Sequence, residues 1–287
     1  MKTPSIVFFG SSEFSIPVLE ALLEHRYYLA GVITKHGPVE KYLQTHKIPM
    51  LASPKKSDLF VIASFGKILP SNILALPLRG TLNVHPSLLP QYRGPSPIQT
   101  AILAGDSKTG VTIMLTDTQV DHGPILAQRE LTIEPNDTFL TLGDKLAKIG
   151  GNLLAEIILP WVAGKLQTHE QDHARATFTK LVKKENGKIN WHDRTENINR
   201  SIRAYTPWPS AWTQLNDKHV KILKATTKIE TQRTLGPGEL MLEHNNLLVG
   251  CGDGILIIDS IQPEGKSIMS GSAFAHGYLK QSTRTFS

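Results

Sequence analysis

Three polar residues at two places in this 287-residue chain could together handle an acyl carbon. Asn83-Val84-His85-Pro86 closes a short apolar run. Alternation along a strand turns Asn83 and His85 to one face while Val84 enters the core. Pro86 cannot donate to a sheet ladder, so His85 is expected to be the last strand residue, where a crevice opens. Asp121 follows in the turn-rich stretch Asp117-Thr118-Gln119-Val120-Asp121-His122-Gly123-Pro124. An amide, an imidazole and a carboxylate meeting at one crevice suit acyl transfer to an amine. They supply donors for a developing oxyanion, and a carboxylate to orient the imidazole and manage the proton. Taken singly, His85 reads as a satisfied strand-end histidine and Asp121 as a local acceptor in a turn. The chemical reading therefore requires that the two segments be neighbours.

The elements that would bring them together alternate in type. Residues 5–10 read as a strand ending in glycine, and residues 14–25 as a helix with Ile16, Leu19, Leu22 and Leu23 on one side. Residues 28–34 form a second strand, 39–46 a helix and 58–64 a strand buried on both faces. Further strands are expected at 80–85, 110–115 and 124–132, and a long helix from 138 to about 164. Such alternation implies an α/β unit with a mostly parallel, Rossmann-like sheet over residues 1–166. Residues 167–186 are polar and lack an apolar period, and are read as a linker. Beyond them, residues 194–205 suit a helix. Short alternating runs broken by Gly, Pro, Asn and Asp then suggest a small β-barrel or sandwich over 187–287.

Composition narrows the class. Hydrophobic residues at 40% and charged residues at 20% are ordinary for a globular protein of two domains. No apolar run is long enough to span a bilayer, and the amino-terminal stretch reads as a strand and turn rather than an export signal. Cys251 is the single cysteine, which rules out an intramolecular disulfide, gives no support to a cysteine metal site and points to the cytoplasm. The net charge is +6, and between Arg175 and Lys228 there are 12 Lys and Arg against 4 Asp and Glu. That excess suits a polyanion, and equally a solvated basic face. Gly10-Ser11-Ser12-Glu13 is not the dinucleotide fingerprint, and its glutamate would oppose a pyrophosphate. No P-loop is present either. The segment reads as a strand-to-helix turn with a serine cap.

Longer motifs carry a resemblance. Asn83 to Pro90 gives N-x-H-x-S-L-L-P and Tyr92 to Gln99 gives Y-R-G-x-x-P-I-Q, followed by Val120-Asp121-His122-Gly123. The opening V-F-F-G-S-S-E-F-S-I-P-V-L-E-A-L and Phe65-Gly66-Lys67-Ile68-Leu69-Pro70 extend the likeness. With these segments the chain resembles the methionyl-tRNA formyltransferases, within the group that uses 10-formyltetrahydrofolate. The resemblance implies a formyltransferase catalytic domain at 1–166 and an oligonucleotide-binding-like, tRNA-binding barrel at 187–287. It implies Asn83, His85 and Asp121 as catalytic residues and 10-formyltetrahydrofolate as formyl donor, with no metal. It implies folate contacts at Phe65, Gly66, Ile68, Leu69, Pro70, Ser87, Leu88, Leu89, Pro90, Asp117 and Val120. The acceptor would be initiator methionyl-tRNA, met by Lys35, Lys183, Lys184, Lys188, Arg203 and Lys221, in a monomeric, cytoplasmic enzyme.

Lys188-Ile189-Asn190-Trp191, Ile202 to Pro209 and Gly252-Asp253-Gly254 resemble the carboxy-terminal domain of the tRNA enzymes. Trp191, Trp208 and Trp212 are expected to serve packing there. One departure stands out: the family's basic loop after the second strand is missing, and the chain runs from Thr34 through Pro38 directly into a helix. Sugar-nucleotide formyltransferases carry a similar barrel, so formylation of a nucleotide-linked amino sugar stays open. So does a non-catalytic RNA-binding protein; a dinucleotide-dependent oxidoreductase ranks last.

Overall fold

The structure is a computed structural model that describes residues 3–228, 234–279 and 285–287. Met1 and Lys2 of the amino-terminal reading lie outside the described residues. Two compact units are distinguished, one of residues 1–98, 107–134 and 141–181, the other of 99–106, 135–140 and 182–287.

In chain order the strands of the first sheet are β1 (Ser5–Gly10), β2 (Tyr28–Ile33), β3 (Leu59–Ala63), β4 (Thr81–His85), β5 (Lys108–Leu115) and β6 (Ile125–Thr132). The helices over the same stretch are α1 (Ser15–Glu24), α2 (Pro38–His46), α3 (Ser71–Leu74), α4 (Pro97–Ala104) and α5 (Phe139–Val162). The sheet runs β2-β1-β3-β4-β5-β6. The pairs β1–β2, β1–β3 and β3–β4 are parallel, whereas β4–β5 and β5–β6 are antiparallel. Ile6, Val7, Phe8 and Phe9 are all buried, as a strand covered on both faces must be. Helix α5 reaches the sheet closely because Gly150 carries no side chain: a Cβ there would stand 2.7 Å from Val84 and 3.0 Å from Val111.

Gly10 is needed for a similar reason, since a Cβ would meet Phe8 and Ser15 at 2.6 and 2.7 Å. The serine cap expected for α1 is not formed: Phe14 precedes the helix and no side chain caps it. Instead Ser15 Oγ, just inside the helix, donates to Ala63 O at 2.6 Å and accepts from Ser12 N–H at 3.3 Å. The hydroxyl thus fastens α1 to β3.

The stretch read as a linker is largely part of the first unit, up to Leu181. Ile125 and His169 exchange backbone bonds of 2.8 Å, and Arg93 pairs with residues 177 and 179 through bonds of 2.9 and 2.7 Å. The stretch stays largely exposed and lacks an apolar period because it is held to the unit by a few polar bonds, from its backbone and from Gln171, rather than by an apolar face.

The second unit contains α6 (Thr195–Tyr205), the strands β7 (Ala211–Leu215), β8 (Lys218–Lys228), β9 (Leu240–Glu243), β10 (Asn246–Gly250), β11 (Ile255–Pro263) and β12 (Met269–Ser270), and α7 (Gly271–Tyr278). Its antiparallel sheet runs β7-β8-β11-β10-β9, with β12 on β11. The expected barrel is not closed by this strand ladder. The carboxy-terminal residues reach β7 and the segment leading into β9: Gln214 and Ser287 exchange backbone bonds, and Phe286 N–H donates to Gly238 O. Ile189, Trp191, Ile202, Val220, Leu256 and Phe274 lie in one core. Among the described residues no helix is long and apolar enough to cross a membrane.

Candidate active site

Asn83 and His85 share a face of β4, as the alternation required, and His85 is its last residue. β5 is the antiparallel neighbour, with Leu115 opposite Leu82 and Met114 opposite Asn83. The chain leaving β5 therefore starts beside Leu82 and Thr81, with Thr116 N–H donating to Thr81 O at 2.8 Å, and the loop from Asp117 returns Asp121 to the face of Asn83. Asn83 Nδ2 donates to Asp121 Oδ1 at 3.2 Å, and His85 Nδ1 lies 3.5 Å from the same oxygen. The other carboxylate oxygen accepts the Gly94 N–H at 2.8 Å. The three side chains expected to act together are thus brought together.

The second nitrogen of His85 fixes its tautomer. Nε2 lies 2.9 Å from Tyr92 O, and a carbonyl can only accept, so Nε2 carries a proton. Nδ1 is then the nitrogen that faces Asp121. The imidazole is buried, with 5% of its side chain exposed, while Asp121 keeps 14%.

Behind Asp121 lies a group of residues that the sequence reading did not select. Arg93 is buried and its guanidinium donates to Gln171 Oε1 from Nε at 3.1 Å and from NH2 at 2.6 Å. NH2 also lies 2.8 Å from His173 Nδ1, which must accept. Burial pushes the Arg93 pKa below its ordinary value, and the negative charges of Asp121 and Asp117 pull the other way. His173 stacks on His122 at 4.1 Å, and His122 Nδ1 bonds Asp117 Oδ2 at 2.7 Å. Arg93 sat within a quoted motif, but Gln171 and His173 lay in the presumed linker, where polarity pointed to solvent. No periodicity marks them.

The expected folate residues divide. Phe65 and Leu69 are buried in a core with Val7, Phe9 and Phe60, and Phe65 packs edge-on against Phe9 at 5.4 Å. Their side chains serve the fold. Ile68 is exposed, and Gly66 has φ +68°, so the loop turns sharply and presents Ile68 and its own backbone. Pro70 directly precedes α3. Ser87 and Leu89 are buried and Leu88 and Pro90 half-buried. Ser87 Oγ donates to Gln91 O at 2.6 Å, and Thr112 Oγ1 donates to Ser87 O and accepts from Leu89 N–H at 2.7 and 3.0 Å. Asp117 is engaged by His122, whereas Val120 is exposed. A cleft of about 530 Å³ beside Asp121 is lined by Gly94, Pro95, Val120, His122 and Phe178, among others.

Of the residues expected to meet tRNA, Lys35 is exposed, with Nζ 6.0 Å from the Phe65 ring. Lys183, Lys184 and Lys188 are exposed, and Lys188 Nζ stands 5.9 Å over Trp212. Lys221 is half-buried on β8. Arg203 departs from its expected role, because its guanidinium donates inward to Asp137 O at 2.8 Å and Asn199 Oδ1 at 3.0 Å. Trp191 is core, donating to Thr213 Oγ1 at 3.0 Å. Trp208, expected to pack, is 58% exposed.

Comparison with known proteins gives a consistent result. The formyl transferase family profile matches residues 21–158, and the profile of the formyl transferase carboxy-terminal domain matches residues 181–279. Methionyl-tRNA formyltransferase of Roseiflexus castenholzii is 37% identical over 298 aligned positions, 95% of either chain. That of Bacillus subtilis is 36% identical over 95% of this chain and 94% of its own. Among solved structures, HypX from Aquifex aeolicus in complex with tetrahydrofolic acid superposes with TM-score 0.72 at 18% identity, covering 100% of this chain and 51% of that one. The sugar 3N-formyl transferase WlaRD, with dTDP and 5-N-formyl-THF, gives 0.69 at 20% identity, covering 93% and 100%. At such identity these two establish the fold.

Proposed function

The chain belongs to the methionyl-tRNA formyltransferase family, and from that premise we infer that it transfers the formyl group of 10-formyltetrahydrofolate to the α-amine of initiator methionyl-tRNA. The observation that supports this most is the shared contact of Asn83 and His85 with one oxygen of Asp121. The formyl folate, as substrate, supplies the carbonyl carbon and a nitrogen leaving group. The residues at the strand ends suit such a ligand: Ile68 and Val120 offer exposed apolar surface, and backbone groups beside them offer polar partners.

When the amine adds to the formyl carbon, the carbonyl oxygen gains negative charge. Asn83 Nδ2 has two hydrogens and its bond to Asp121 uses one, so the second is assigned to that oxygen. His85, with Nε2–H tied to Tyr92, is assigned as the second donor in its imidazolium form, its Nδ1–H shared between Asp121 and the oxyanion. Each such donor typically contributes about 3 kcal/mol. Asp121 accepts the proton that the attacking nitrogen must shed, and the departing folate nitrogen takes up one proton when its bond to carbon breaks. Asp121 can return the same proton, so the transfer balances without another reactant. The exposed lysines at 183, 184 and 188 are assigned to tRNA phosphates. The single buried Cys251 suits a reducing cytoplasm.

The acceptor is tested by offering charged initiator tRNA and a dTDP-linked amino sugar in parallel, with 10-formyltetrahydrofolate as donor. Formylation of the tRNA alone is expected; faster formylation of the sugar would replace this reading with the amino-sugar one.

A further inference from the structure

We infer that Gln171 is a positioning residue for formyl transfer, acting through Asp121; the inference rests on the role given to Asp121 above. Gln171 is 5% exposed, and its whole amide is spent on three groups, two carbonyls and one guanidinium. Nε2 donates to Asp121 O at 3.0 Å and to Gly123 O at 2.7 Å, while Oε1 accepts two bonds from Arg93. These partners fix which way the amide points. A guanidinium has only donors and a carbonyl only accepts, so the oxygen must face Arg93 and the nitrogen must face the loop.

Asp121 needs such a hold. Its φ is +48°, a left-handed conformation that non-glycine residues seldom adopt and keep only when their surroundings impose it. Gln171 holds its carbonyl, and the N–H of Gly94, the residue after Arg93, holds its carboxylate. Backbone and side chain of Asp121 are thereby tied to a single body built on Arg93. Removal of the Gln171 amide takes the donor from two carbonyls of the turn, and the carboxylate loses its aim at Asn83 and His85.

The consequence falls on turnover rather than on folate affinity. The test is a double-mutant cycle in the full chain, measured as single-turnover transfer to initiator methionyl-tRNA at saturating 10-formyltetrahydrofolate. Gln171→Leu is expected to lower the rate roughly 100-fold, the size of loss that a misplacement of about 1 Å produces, with the folate Kd, from a separate binding titration, unchanged. In an Asp121→Asn background the same change should cost less than about 3-fold, because residues acting as a unit are not additive. Gln171→Glu keeps the pairing with Arg93 but turns an acceptor towards the two carbonyls, so it should reproduce the loss if the leucine variant folds poorly. Amide hydrogen exchange across residues 117–123 should be faster in either variant. An unchanged rate, or an equal loss in both backgrounds, overturns the inference. Should the unaltered protein fail to formylate the tRNA, the functional reading falls, and unchanged exchange at 117–123 would then overturn the positioning role independently.

Discussion

The polar groups given a functional role in each unit are treated in opposite ways. In the first, Arg93, His85, Thr112 and Gln171 are buried, and their donors end on carbonyl, amide or imidazole acceptors. In the second, Lys183, Lys184 and Lys188 are exposed around a core of Ile189, Trp191 and Val220. On the roles proposed above, the contrast follows from what each surface must do. An oxyanion and a moving proton demand fixed directions, which buried, mutually satisfied groups provide. Attraction of a polyanion depends on net charge and tolerates mobile side chains.

The largest effect expected from this contrast is on rate. His85→Ala removes one donor to the oxyanion and should lower kcat by about 10²- to 10³-fold, while far-UV circular dichroism stays unchanged. A kcat within a few-fold of the parent would remove the imidazole from the chemistry. Next comes stability of the first unit. Arg93→Met leaves Gln171 Oε1 buried without its donor and should cost about 2 to 3 kcal/mol, read as a lower urea midpoint. An exposed arginine would give almost no change, so a null result would show that the network does not hold the loop.

The second unit should respond differently. Replacing Lys183, Lys184 and Lys188 together by alanine is expected to reduce the slope of log affinity for tRNA against log salt by up to about 2 to 3, with kcat at saturating tRNA nearly unchanged. Arg203→Ala should leave that slope alone and destabilise the fold, because its guanidinium bonds to Asp137 O and Asn199. A loss of slope with Arg203→Ala would contradict the division.

The smallest effect concerns acid. Asp253 caps α6 by accepting from Thr195 N–H at 2.7 Å and Thr195 Oγ1 at 2.8 Å, with Arg194 Nε at 3.0 Å. The bond from the Thr195 backbone, then Arg194 and the threonine hydroxyl, hold its pKa down to about 2. A depressed carboxylate contributes stability that is complete above its unfolded pKa of about 3.9 and is lost as pH falls through the folded value. Asp253→Asn should therefore flatten the acid unfolding curve between about pH 4 and pH 2. An identical curve for the variant would show that the cap contributes nothing.

Legibility in the sequence divided along similar lines. Elements with an unbroken apolar run or a sustained helical period, such as β1, β3 and α5, could be placed because burial imposes the pattern directly. Asn83 and His85 were readable because two-residue spacing and Pro86 dictate their direction, and Asp121 entered through the motif. Gln171 was not readable, since a polar residue buried against carbonyls has the same letter as one facing water. Arg203 misled for the converse reason: its charge suggested a phosphate, yet its partners are a backbone carbonyl and an amide on its own helix. The serine cap failed because Ser15, one turn later than expected, bonds across to Ala63.

The central claim is that the Asp121 carboxylate, held between Asn83, His85 and Gly94, takes the proton from the attacking amine. It is tested most directly by the single-turnover rate of Asp121→Asn with saturating 10-formyltetrahydrofolate and methionylated initiator tRNA. Asparagine keeps the shape and loses the basicity, so the rate should fall by at least about 10²-fold while folate still binds. Transfer at the parental rate would contradict the account.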